Sequence, residues 1–87
     1  MENLQELIDY LSGLRGKPRN EKIEVTLNEL EQDLPEWSAN NTDKEIEHII
    51  AERRIAALLV LVCQDEYKER VTRIAKAFCD GNYWNYA

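Results

Sequence analysis

Leu4, Leu7, Ile8, Leu11 and Leu14 recur at the i, i+3, i+4, i+7 spacing of one helical face. Asn3 followed by Glu6 has the form of a capping box, so a helix is predicted from Leu4. It should stop near Gly13 or Gly16, because RGKPRN (15–20) combines glycine, proline and cations in a composition suited to a solvated connection. The next stretch, EKIEVTL (21–27), supports two patterns. Ile23, Val25 and Leu27 alternate with polar residues like a strand, whereas Ile23, Leu27, Leu30 and Leu34 make a helical stripe. Thr26 with Glu29 repeats the capping-box form, which predicts a short extended piece over 22–26 and a helix from Leu27 to about Leu34, ahead of Pro35.

After EWSANN (36–41), Thr42 and Glu45 form a third such box and open a segment with Ile46, Ile49 and Ile50, continuing into the apolar run Ile55–Cys63. This run is about half of the ~20 residues that a membrane helix needs. The segment Thr42–Cys63 is therefore predicted as the central, protein-buried helix, with Leu58, Leu59 and Val62 among its most covered positions. A helix apolar on every side must be covered on every side. Because two or three short helices of one chain leave part of it open, a homodimer is expected. Asp65 can cap a last helix in which Tyr67, Val71, Ile74 and Phe78 form the buried stripe, ending before Asp80-Gly81. The predicted fold is all-α: a single domain over 1–87, a small bundle of three to four helices around a central apolar one, with one short extended segment allowed near 22–26.

Composition agrees with that class. The 87 residues include only 3 Gly and 2 Pro, too little punctuation for a barrel or sandwich of short strands. At 44% hydrophobic and 32% charged, the chain is too apolar for a disordered acidic tail and too charged for a membrane protein. Cys63 and Cys79 form no CxxC and are too few for a disulfide scaffold, which points to a reducing cytoplasm. The opening residues carry acids where a secretory signal needs a positive region, so export is not expected.

Charge changes the picture more. The net charge is -6, with 17 Asp+Glu against 11 Lys+Arg, and it is unevenly spread. Residues 21–47 hold Glu21, Glu24, Glu29, Glu31, Asp33, Glu36, Asp43, Glu45 and Glu47 against Lys22 and Lys44 alone, whereas residues 51–87 are nearly balanced. Such a region is either a solvated helix face or a patch that steers association with a cationic partner, and it disfavours direct contact with a nucleic-acid backbone. The candidate partner-binding residues are Glu24, Glu29, Glu31, Asp33, Glu36 and Trp37, with Tyr83, Trp84 and Tyr86 of the aromatic tail. The tail aromatics either cap the bundle or anchor an interface, where Trp and Tyr dominate.

Two local resemblances suggest other classes. Glu45-x-x-His48, with Glu52 one turn on, has the spacing of half a carboxylate-bridged di-iron site, and NTDKEIEHII (41–50) resembles the metal-binding helix of ferritin-like proteins. That resemblance implies a metal-binding dimer in which a second helix adds an inward carboxylate such as Glu29 or Glu31. KIEVTLNELEQDL (22–34) followed by NTDKEIEHIIAERRIAAL resembles the ribbon-helix-helix repressors, which implies a strand, two helices and an obligate dimer acting as a regulator or antitoxin. Its outward strand positions would be Lys22, Glu24 and Thr26, setting Glu24 against phosphates. The chain lacks the Asp-Ser-Leu attachment site of an acyl carrier protein, and its single histidine, His48, has no nucleophile at triad-like spacing. P-loop, GxGxxG, EF-hand and zinc spacings are absent. The leading expectation is a small non-enzymatic protein, without cofactor, that binds and blocks a basic partner, in the style of phage counter-defence and toxin-immunity proteins.

Overall fold

The computed structural model describes residues 3–15, 21–39, 44–63 and 67–87, and their side chains apart from those of residues 36, 38 and 39. Among the described residues there are four α-helices and a C-terminal 3-10 turn: α1 (Leu4–Gly13), α2 (Glu21–Ala39), α3 (Ile46–Val62), α4 (Lys68–Cys79) and the turn Tyr83–Asn85. No described residue is in a strand. The all-α bundle around a central helix is therefore as expected.

α1 begins where its cap is placed. The Asn3 side chain accepts hydrogen bonds from the Gln5 and Glu6 amides at 3.0 and 3.2 Å, satisfying two of the donors that a helix start leaves open. Leu7, Ile8 and Leu11 are the buried face.

α2 corrects the sequence reading in three ways. Residues 22–26 are helical, not extended, because the stripe Ile23, Leu27 and Leu30 is the one that reaches the core, each fully buried. Val25, which creates the strand-like alternation, is 54% exposed. Thr26 is no N-cap. Its hydroxyl donates back to the Lys22 carbonyl at 2.8 Å, the bond a mid-helix threonine makes to the preceding turn. Finally, the helix passes through Pro35 to Ala39. An internal proline forfeits a backbone bond and costs ~3 kcal/mol, but the turn beyond it docks Trp37, 6% exposed, with its ring centroid 4.8 Å from that of Phe78. Burial of a tryptophan is of comparable size and holds that last turn in place.

α3 starts at Ile46 with Glu45 at its N-cap, later than the Thr42 start expected from the capping box; Thr42 itself lies outside the described residues, as does the proposed cap Asp65. Leu58, Leu59 and Val62 are buried as predicted, together with Ile55, Ala56 and Ala57. The cover comes from within the chain. α3 packs against α1 on one side and α4 on another, and the C-terminal turn closes over both α3 and α4. That cover is partial: Ile46, Ile50 and Leu61 of α3 stay exposed. α4 buries Val71, Ile74, Ala75, Phe78 and Cys79, and α2 lies against it. The reversal after α4 uses two left-handed residues, Asp80 (φ 52) and Gly81 (φ 84), the conformation that Gly adopts without cost.

Candidate partner-binding surface

The acids of α2 are divided by the helix pitch. With Ile23, Leu27 and Leu30 facing inward, Glu24, Asn28 and Glu31 fall on the flank toward α4, and Lys22, Val25 and Glu29 on the flank toward α1.

The α4 flank is an internal fastening. Arg70 donates from Nε to Glu31 Oε1 at 2.9 Å and from Nη2 both to the same oxygen and to Asn28 Oδ1, the latter at 2.9 Å. Arg73 Nη2 takes the other carboxylate oxygen at 2.6 Å. The hydrogen bond from Arg70 holds the Glu31 carboxyl below its ordinary range, burial opposes this, and the charges of Arg70 and Arg73 add to the lowering. The same pairing raises the Arg70 guanidinium. Glu31 thus ties α2 to α4.

The α1 flank opens onto a groove of ≈ 220 Å³ between the two helices, lined by Asn3, Glu6 and Leu7 from α1 and its cap and by Lys22, Val25, Thr26 and Glu29 from α2. The Lys22 ammonium lies 4.8 Å from the centroid of the Tyr10 ring. Asp33, one turn beyond Glu29, is half-buried, and Glu24 is exposed.

The aromatic candidates separate likewise. Trp37 is core, with the Lys44 ammonium and Arg53 guanidinium 5.3 and 5.6 Å from its ring. Tyr86 docks the tail: Arg53 Nη1 donates to its hydroxyl at 3.2 Å and the guanidinium lies 5.7 Å from its ring. Arg15 Nη2 donates to the Ala87 carbonyl at 2.7 Å. Tyr83 is half-buried and meets Trp84 edge-on at 5.5 Å, but Trp84 itself is 64% exposed. The side chain of Glu36 lies outside the described residues.

The structure adds a group whose burial no sequence pattern indicated. Glu52 is fully buried on α3. Its Oε1 receives Lys44 Nζ at 2.7 Å and His48 Nε2 at 2.9 Å, whereas Oε2 is buried with no hydrogen-bond partner among the described residues. His48 therefore faces Glu52 while Glu45 is exposed at the N-cap. Glu31 is held by the arginines of α4 and Glu29 lines the groove beside α1. Among the described residues no three His, Cys, Asp or Glu side chains converge as metal ligands, so the donor set implied by the ferritin-like spacing is not assembled there. The ribbon-helix-helix resemblance fails at its strand, which is helix.

Both cysteines are buried, and neither is in a disulfide. Cys79 Sγ donates to the Arg53 carbonyl at 3.3 Å, and burial pushes its thiol up to about 11, with Arg53 pulling the other way and Asp80 adding to the rise. A protonated, covered thiol is a poor nucleophile. No helix among the described residues is long and apolar enough to cross a membrane.

No family model, curated protein or solved structure matches the chain.

Proposed function

We propose that this chain is a small non-enzymatic protein-binding module of the inhibitor or immunity type, which engages a partner protein with a basic surface. One observation carries the reading: the large apolar side chains left exposed on α2 and at the start of α3 are set among acids. Val25 is 54% exposed beside Glu21, Glu24 and Glu29, and Ile46 and Ile50 are 75% and 50% exposed beside Glu45 and Glu47. An apolar centre with a charged rim is the make-up of a protein-binding patch, and the sign of the rim selects a cationic partner and speeds its encounter. Trp84 supplies a further exposed anchor of the type that dominates binding energies.

The test is capture from a lysate of the source cells on the immobilised chain, wild type beside the Glu21→Gln/Glu29→Gln/Asp33→Asn variant. A single basic protein, released by rising salt and lost in the variant, is expected. Capture that is indifferent to salt and to the three substitutions contradicts the proposal. Capture of nucleic acid by the purified chain contradicts it too.

A further inference from the structure

The groove between α1 and α2 has a composition more specific than acidity. Its floor is apolar, formed by Leu7 and by Thr26, which turns its hydroxyl back to the Lys22 carbonyl, with Val25 rising half-covered at the edge. Its two walls each present a carboxylate, Glu6 from α1 and Glu29 from α2. The seam stays open because α1 packs on α3 and α2 packs on α4, so neither helix is drawn down onto the other. At ≈ 220 Å³ it has room for a long side chain and part of its neighbour, not for an extended ligand.

We infer that this groove is the docking site for a basic amphipathic helix of the partner, which seats the aliphatic stem of an arginine or lysine on Leu7 and Val25 and its cationic head between Glu6 and Glu29. Long cationic side chains bury their stems on apolar surface and keep the charge at the rim, and helices read as anchors one turn apart fit a two-helix seam. The chain already places one such side chain at this seam. Lys22 lines the groove with its stem and carries its ammonium out to the Tyr10 ring, the stem-on-apolar, head-outward posture proposed for the incoming side chain. The inference rests on the basic-partner reading above and gives it a location.

The experiment titrates the full ¹⁵N-labelled chain with an N-acetylated, C-amidated 14-residue helical peptide built of Leu, Ala and Arg with all Leu on one face. A scrambled peptide of the same composition and one with Glu for Arg are run beside it. The expected result is saturable amide shifts concentrated at residues 3–7 and 22–29, absent with the Glu peptide and at least fivefold weaker with the scrambled one. Val25→Asp and Glu29→Gln should each weaken binding, Val25→Asp by tenfold or more. Glu24→Gln, on the other flank of the same helix, should change it less than twofold. Val25 is half in solvent, so its variant should keep the wild-type spectrum elsewhere; if it does not, Glu29→Gln against Glu24→Gln decides. Shifts centred on residues 45–50 overturn the groove while leaving a basic partner in place. Equal binding of the scrambled peptide, no shift up to millimolar peptide, or concentration-dependent shifts of the groove without peptide, which mean a second copy sits there, each overturn it as well.

Discussion

Both flanks of α2 carry carboxylates, and the two sets serve opposite ends. On the flank toward α4, Glu31 is enclosed by Arg70 and Arg73, half-covered, and held ionised by them. On the flank toward α1, Glu29 stands across an open seam from another acid, Glu6, with Val25 exposed between turns. A count of charge along the chain treats these carboxylates as one patch. The pitch of the helix separates them into a set tied to α4 through Glu31 and a set that lines the groove beside α1.

The largest effects should come from beneath both flanks. Trp37→Ala should lower unfolding free energy by about 3–5 kcal/mol and Leu27→Ala by about 2–5 kcal/mol in urea titrations, since each removes a side chain packed in the core. Trp84→Ala, by contrast, should stay within about 0.5 kcal/mol of wild type, because that ring is mostly in water. A melting loss in Trp84→Ala equal to that of Trp37→Ala would make the tail a bundle cap and take away an anchor from the proposed interface.

Next in size is the fastening. Arg70→Ala should cost about 1 kcal/mol, the range of a shallow ion pair strengthened by two acceptors. Because the folded state lowers the Glu31 carboxyl, its contribution is fully present above the unfolded value near 4.5 and is lost as pH falls through the lower folded value. Urea midpoints measured from pH 7 down to pH 3 should therefore decline less steeply at the acid end in Glu31→Gln than in wild type. Parallel acid limbs would mean that the arginines do not favour the ionised form.

Much of the fold was legible in the sequence. The α1 cap at Asn3 and the α4 stripe of Val71, Ile74 and Phe78 follow from spacing, and the burial of Leu58, Leu59 and Val62 from the unbroken apolar run that holds them. The reading failed where two periods fitted the same residues. Val25 made 22–26 look like a strand, and only the core, by accepting Ile23, Leu27 and Leu30 together, selects the helix. Pro35 ended the expected helix by a local rule that Trp37 overrides from two residues away through Phe78. The expectation of a homodimer rests on the apolar girth of α3, which α1, α4 and the C-terminal turn cover except at Ile46, Ile50 and Leu61. The site was less legible than the fold. Whether Glu31 is a fastener or a free charge depends on Arg70 and Arg73, about forty residues away, and although His48 stands one helical turn from Glu52, nothing in one dimension shows that Glu52 is buried or that Lys44 folds over it.

The division of α2 is tested most directly by urea unfolding of two charge-neutral double variants at pH 7 and low salt. Glu24→Gln/Glu31→Gln should lose about 1–2 kcal/mol, since Arg70 and Arg73 lose their carboxylate. Glu29→Gln/Asp33→Asn should lose less than half of that, as the arginines of α4 are held by Glu31 and Asn28. Equal losses in the two, or a larger loss on the α1 flank, would contradict the assignment of one flank to the fold and the other to a partner.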